Sequence, residues 1–352
     1  MNRHSISRML TRQDNRLLGV DIGSGFIKVA ELDCSCNPPQ LTAAAAVELP
    51  AETLQAGVIT EPAVLADQLR RLLVAAGCRS RQAVFAVGGQ AAVVKELRLP
   101  VMKENELNEA LRWEIGSHIP FAPDSYYYDY AVAGRSGQLL RIITVAARKA
   151  AVDALVALAQ AAELKPVAVD IEMLAAGRAL AGPEQGTVLV TDIGKHGSQL
   201  ALFNKGIPLA VQTFGWGGQD FTRAIVKSLG LTDTEAESLK RHQSGLLPPA
   251  ILDAAGDLPQ GLTAVARELA DAIARTAAEW SSRESVVIDQ LVLSGGGARL
   301  GNLDSYLVTR TGLSVVGPNP EICPSVSLDA RYIGDCGCQL PIAIGLALRG
   351  GK

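Results

Sequence analysis

Two stretches of this 352-residue chain set a carboxylate and small residues directly after an apolar run: Asp21-Ile22-Gly23-Ser24-Gly25 and Asp192-Ile193-Gly194. A third glycine run, Gly295-Gly296-Gly297, follows Ser294 and the apolar residues 290–293. Glycine lets backbone N–H groups close on phosphate oxygens because no Cβ intervenes. An aspartate beside such a turn can hold Mg2+, usually through water, because Mg2+ keeps much of its hydration shell. These residues therefore suit a phosphate ester carried with a divalent cation. Each turn alone is an ordinary strand-end turn. Their order and spacing carry the argument.

The elements that must position these turns can be read from hydropathy period. Residues 17–20 and 26–32 read as strands flanking the first turn, and 41–49 as a third strand. Residues 187–190 and 198–203 flank the second turn, with Asn204-Lys205-Gly206 as a hairpin turn and 207–213 as the next strand. The two aspartates stand about 170 residues apart, so the pattern reads as an internal duplication that sets two like turns face to face across a cleft. Residues 61–76, 104–118, 149–164 and 172–180 have helical spacing. Residues 218–285 read as mostly helical, broken near 245–248, and 340–348 read as a small-residue helix. The expected domains are a basic tail (1–16), a first lobe (17–81, 166–184 and 336–352), an inserted α+β unit (82–165) and a second lobe (185–335), whose helical part is 218–287.

The totals exclude several classes. Hydrophobic residues make up 48% and charged residues 20%, enough to bury a core. A net charge of −3 with 4% aromatics argues against a nucleic-acid coat protein. The first sixteen residues carry Arg3, Arg8, Arg12 and Arg16 against Asp14 alone. They read as a plain basic terminus, with anionic lipid as the alternative neighbour. No apolar run reaches the ~18 residues a membrane span needs, so a cytoplasmic protein is expected. The six cysteines include two Cys-x-Cys pairs, Cys34/Cys36 and Cys336/Cys338, which lack the usual zinc spacing and read as free thiols.

The three glycine turns together resemble the phosphate-1, phosphate-2 and adenosine motifs of the actin, Hsp70 and sugar-kinase superfamily. The run Leu18-Gly19-Val20-Asp21-Ile22-Gly23-Ser24-Gly25-Phe26-Ile27-Lys28 is similar to the opening of the type IV pilus assembly PilM family. So are Leu99-Pro100-Val101-Met102, Trp113-Glu114, Ile119-Pro120-Phe121 and Asp129-Tyr130. Gly217-Gly218-Gln219-Asp220-Phe221-Thr222, Ala236-Glu237 with Lys240, and 343–349 continue the resemblance, which spans roughly residues 17–350. It implies an α/β fold of actin-like (ribonuclease H-like) type, two duplicated lobes with a small α+β insertion.

The resemblance also implies roles. Asp21 and Asp192 would serve Mg2+, directly or through water, and Asp192 is the sole catalytic candidate. Gly23, Ser24, Gly25, Gly194 and Ser198 would cradle the phosphates of ATP or ADP, with Lys28 neutralising charge; the bland reading of Lys28 is an exposed strand lysine. Gly217, Gly218, Glu237, Lys240, Gly295, Gly296 and Gly297 would meet the nucleoside side. Where the family carries small or hydroxyl residues after the second turn, this chain has Lys195-His196-Gly197. No general base stands out beyond the two aspartates, so hydrolysis is expected to be weak or absent.

The partner implied is the cytoplasmic N-terminal tail of PilN, and through it the PilN–PilO complex and the assembly motor at the inner face of the inner membrane. Self-association is a further expectation, and nucleic acid is not a partner. Trp113, Ile119, Pro120 and Phe121 are the candidate partner-binding residues. Five of the fifteen aromatic residues (6 Phe, 3 Trp, 6 Tyr) fall between 113 and 128; aromatics favour recognition surfaces, though they also build small cores. Two alternatives stand beside this reading. A division protein of the FtsA type would need a C-terminal amphipathic helix, where this sequence ends at Gly350-Gly351-Lys352. A sugar or acetate kinase would need polar ligands in the first lobe.

Overall fold

The computed structural model describes residues 15–49, 53–55, 58–242, 260–317, 323, 326–328 and 334–350. The expected basic tail up to residue 14 and the expected break near 245–248 lie outside the described residues. The strands are β1 (Arg16–Ile22), β2 (Phe26–Asp33), β3 (Gln40–Glu48), β4 (Leu54–Gln55), β5 (Val58–Ile59), β6 (Gln82–Val87), β7 (Ala92–Pro100), β8 (Tyr126–Ser136), β9 (Leu139–Arg148), β10 (Lys165–Ile171), β11 (Thr187–Ile193), β12 (Ser198–Asn204), β13 (Ile207–Phe214), β14 (Gln290–Ser294) and β15 (Val315–Val316). The helices are α1 (Pro62–Ala76), α2 (Glu104–His118), α3 (Lys149–Ala161), α4 (Glu172–Leu180), α5 (Gly218–Leu229), α6 (Asp233–His242), α7 (Gln260–Glu284), α8 (Leu303–Thr311) and α9 (Pro341–Ala347).

Two five-stranded sheets repeat one plan. The first runs β10-β6-β1-β2-β3 and the second β13-β12-β11-β14-β15. In each, the first strand of the repeat pairs antiparallel with the next one and parallel with a later one. The registers match residue for residue: Asp21 lies opposite Lys28, and Asp192 opposite Gln199. The duplication seen in the motifs is thus a duplication of sheets.

A separate three-stranded sheet, β7-β9-β8, carries α2 on one face. The expected insertion began at Gln82 and ended at residue 165, and the structure corrects both edges. Strand β6 pairs in parallel with β1 and β10 inside the first sheet. Helix α3 buries Leu155, Leu158 and Ala159 in the same cluster as Leu65 and Leu69 of α1. Both are too apolar on their inner face to leave the lobe's core, so the separate sheet spans only 92–148.

Between the two sheets lie α4 and α9, whose apolar faces share one core with β1 and β2 on one side and β11 and β12 on the other. The approach is close. A Cβ at Gly19 of β1 would stand 1.9 Å from the Ala343 carbonyl oxygen of α9. Helix α2 starts with Lys103, whose N–H donates to the Glu106 carboxylate at 3.0 Å, and buries Leu107, Leu111 and Ile115 as one stripe.

Candidate functional site

The two phosphate-type turns are built alike. Each is a four-residue connection between paired strand ends, Ile22 with Ile27 and Ile193 with Ser198. In the first, Gly23 N–H donates to the Phe26 carbonyl at 3.0 Å; in the second, Gly194 N–H donates to Gly197 at 2.9 Å. The amides of Ser24, Gly25, Lys195 and His196 donate no hydrogen bond among the described residues. Unpaired amides at the tip of a turn are anion donors. A Cβ at Gly25 would stand 3.3 Å from Lys195 Cβ, so the turns of the two lobes touch.

The floor of the cleft gathers four charges. Asp21 is buried at 1% exposure, and Lys28 Nζ donates to its Oδ2 at 2.6 Å. Lys28 is therefore no exposed strand lysine. Burial pulls its ammonium down, but the carboxylates of Asp21, Asp192 and Glu172 outweigh that and hold its pKa above the usual value. Asp192 accepts a hydrogen bond from Ser294 Oγ at 3.0 Å. Burial raises its pKa, against the pull of Lys28.

Glu172, the first residue of α4, is the group that sequence reasoning missed. Its carboxylate accepts a hydrogen bond from Gln199 Nε2. It lies so close to Gly88 that a Cβ there would meet Oε2. Burial, then the charges of Asp21 and Asp192, push its pKa up to about 7, against the Gln199 hydrogen bond and Lys28. The available signal was positional: Gln199 occupies in the second lobe the register place of Lys28, and Glu172 opens the helix that the two sheets share. The floor therefore has a third carboxylate, able to accept or give a proton near neutral pH.

The same shift has a consequence for stability. Between its ordinary value of 4.5 and about 7, folded Glu172 keeps a proton that the unfolded chain has lost. Stability therefore falls as pH rises through that window and levels off above it. Glu172→Gln should flatten this dependence and melt above the parent at pH 8 in thermal unfolding. An unchanged pH slope would contradict the burial of this charge.

The residues fit a hydrated Mg2+ travelling on a phosphate chain. Among the described residues, no three His, Cys, Asp or Glu side chains lie close enough to cage a metal directly. Asp21 and Asp192 would instead act through metal-bound water, which is the habit of Mg2+.

On the side expected to meet the nucleoside, α5, α6 and the third glycine turn come together. A Cβ at Gly218 would lie 3.4 Å from Lys240 Nζ and 3.9 Å from Gly297 Cα. Lys240 donates to the Gly218 carbonyl (2.9 Å), Thr222 Oγ1 (2.8 Å) and Glu237 Oε2 (2.6 Å). Glu237 also accepts from Thr222 Oγ1 at 2.6 Å and from Arg241 at 2.9 Å. Arg241 continues across the cleft to Glu48 at 3.3 Å and over the Phe26 ring at 5.5 Å. Gly295, at φ 87°, and Gly297 pack directly on Ile193, while Gly296 faces Gln339.

Three expected phosphate or nucleoside contacts are instead structural. The Gly217 N–H donates to Asp220 at 2.8 Å, and the Gly218 N–H to the Gly194 carbonyl at 2.8 Å. The first caps α5 on its own Asp220 side chain and the second joins α5 to the second turn. Ser198 donates its hydroxyl to the Trp216 carbonyl at 2.8 Å and is buried.

The partner-site candidates separate just as clearly. Trp113 is 83% exposed on the outer face of α2. Pro120 is also exposed. Ile119 is buried in the same core as Leu111 and Ile115 and is removed as a docking residue. Phe121 is half-buried, with Tyr126 at 6.1 Å and the Arg148 guanidinium at 4.7 Å from its ring centre. Cys34, Cys36, Cys78 and Cys323 are free thiols. No helix among the described residues is long and apolar enough to cross a membrane.

Two repeated sheets, paired turns and a shared charged floor define the class: this is an actin-like protein. Solved structures of that class share its fold. The ethanolamine utilization protein EutJ from Carboxydothermus hydrogenoformans is 16% identical, with TM-score 0.57 over 94% of this chain and 89% of that one. MreB 5 of Spiroplasma citri bound to AMPPNP is 12% identical, with TM-score 0.50 over 95% of each. Within the class the chain belongs to the type IV pilus assembly protein PilM family, which matches residues 19–351. A PilM-PilN type IV pilus biogenesis complex is similar at 30% identity and TM-score 0.80, over 96% of this chain and 98% of that one.

Proposed function

We propose that this protein is an ATP-binding scaffold of the type IV pilus inner-membrane assembly complex that holds the cytoplasmic N-terminal tail of PilN. The observation that carries this is the similarity over nearly the whole of both chains to a PilM-PilN complex. The cleft supplies the nucleotide half of the reading. Its free turn amides, Lys28 and the buried carboxylates suit ATP or ADP with hydrated Mg2+, and the AMPPNP-bound MreB 5 supports that ligand class. When bound, Mg2+ supplies charge neutralisation of the phosphates. The chain's own residues orient them: the turns donate amides, Lys28 pairs with Asp21, and Asp192 and Glu172 face the remaining space. Glu172, its pKa raised to about 7 by burial and the neighbouring carboxylates, is a candidate proton acceptor beside the phosphates. The protein would sit at the inner face of the inner membrane through PilN.

The insertion offers the partner surface and a route to it. Arg98 of β7 reaches Glu284 at the end of α7 at 3.4 Å, and also pairs with Glu96 at 2.9 Å. The small sheet is thereby tied to the second lobe as well as the first, so lobe closure would move it. Trp113, which makes no contact that α2 needs, is the first residue to test. Trp113→Ala should leave the melting temperature of the protein unchanged and weaken PilN-tail peptide binding by about 2 kcal/mol, as truncation of a central aromatic does. Calorimetric titration of the peptide checks this; identical affinity in the two proteins removes Trp113 from the interface.

A further inference from the structure

The second turn departs from the first at one position that the roles above leave unused. Register makes Gly23 equivalent to Gly194 and Ser24 equivalent to Lys195. A serine in one lobe thus corresponds to a lysine in the other. The next equivalence runs the opposite way: Lys28, the cation of the first lobe, corresponds to neutral Gln199 in the second. Each lobe therefore contributes one lysine, from the strand in the first and from the turn in the second.

The surroundings of Lys195 are those of an anion receptor. Its stem crosses between lobes and lies on Gly25, where a Cβ would stand 3.3 Å from Lys195 Cβ and 3.4 Å from Cδ. That contact steers a long side chain over the first turn. Among the described residues its ammonium has no ion pair and donates no hydrogen bond. His196 on the same turn and Lys240 on α6 both feel its charge; burial and that charge pull the His196 pKa below its usual value, while Lys240 is paired with Glu237 and Arg223 of α5 with Asp220. With Lys240 and Arg223 already matched, the Lys195 ammonium is left, among the described residues, as an unpaired positive charge at the cleft mouth. The floor is opposite in sign, with three carboxylates against the one ammonium of Lys28. Lys28 is committed to Asp21, so Lys195 is the uncommitted cation facing the two turns.

We propose that Lys195 is the second lobe's phosphate ligand, reaching over Gly25 to the terminal phosphate of a nucleoside triphosphate and setting a preference for triphosphate over diphosphate. The inference rests on the reading of this cleft as a nucleotide site. On that reading the nucleoside end lies where Gly218, Lys240 and Gly297 of the second lobe meet, whereas Gly25 belongs to the first. A phosphate chain starting at the nucleoside reaches the Gly25–Lys195 contact last, so a diphosphate gains less from it than a triphosphate. The bond also joins the lobes, so the same residue favours closure around the longer ligand.

The test is calorimetric titration of ATP and of ADP, each with Mg2+, into the parent, Lys195→Gln, Lys195→Arg and Asp21→Asn. Lys195 is exposed, and melting curves confirm that its variants fold. Lys195→Gln should lose about tenfold to hundredfold in ATP affinity, the worth of a hydrogen bond to a charged group, and less than about threefold for ADP. Lys195→Arg should retain ATP affinity. Equal loss for both nucleotides, or no loss for ATP, overturns the proposal while the site reading stands, provided that Asp21→Asn abolishes binding. A parent protein that binds neither nucleotide overturns both.

Discussion

Asp21→Ala is expected to abolish nucleotide binding and to destabilise the folded protein at once. The side chain is buried and holds the Lys28 ammonium at 2.6 Å. Removing one partner of a buried ion pair leaves the other charge desolvated, which costs about 3–5 kcal/mol. Lys28 retains Asp192 and Glu172 as distant counter-charges, so the loss falls toward the lower end. The binding loss has a separate cause. Without Asp21 the water shell of Mg2+ loses its acceptor in the first lobe, and Lys28 is free to swing toward whatever carboxylate or phosphate lies nearest. Asp21→Asn separates the two effects, since it keeps a neutral acceptor for Lys28 but not the charge. Urea denaturation reads the first effect and calorimetry the second. Unchanged ATP affinity in a folded Asp21→Ala protein would show that the phosphates bind elsewhere.

Gly19→Ala should be among the most damaging single methyl groups in the first lobe. The added Cβ would stand 1.9 Å from the Ala343 carbonyl oxygen and 2.9 Å from the Ala347 nitrogen, both backbone atoms that no rotamer change can move. Helix α9 would have to leave the sheet, and every residue from Pro341 to Ala347 is buried. Overpacking of a core costs about 1–3 kcal/mol and occasionally more; a backbone clash of this depth belongs at or above the top of that range. Gly116→Ala is the control: it sits in α2 with nothing within 4 Å of the new Cβ. That change should stabilise by about 0.5–1 kcal/mol through helix propensity. Similar denaturation midpoints for the two variants would contradict the packing of α9 against β1.

Much of this fold was legible because its signals are local. An apolar strand, Asp-Ile-Gly and a second strand recur about 170 residues apart, and both copies form paired strands in the same register. Helices α2, α4 and α9 were legible from spacing and composition. What failed depends on distance along the chain. The apolar run 82–87 reads the same whether it belongs to an insertion or to the main sheet, and only its pairing with β1 and β10 decides. Ile119 reads as part of a surface motif until Leu111 and Ile115 bury it. Glu172 looks like an ordinary acid in a helix's first turn; its importance comes from Gly88, Gln199 and Asp21, which meet it only in three dimensions. Gly217 and Gly218 were read as ligand contacts, yet the Gly217 amide caps α5 through Asp220 and the Gly218 amide ties α5 to the second turn.

A scaffold that holds PilN's tail and alters that grip with nucleotide must bind the tail differently in its two states. Calorimetric titration of a PilN N-terminal tail peptide into the protein, once without nucleotide and once with saturating ATP and Mg2+, reads this directly. Binding is expected in both states, with affinities differing at least about fivefold, the lower end of common allosteric coupling. Absence of peptide binding in either state, or equal affinity in the two, would contradict it.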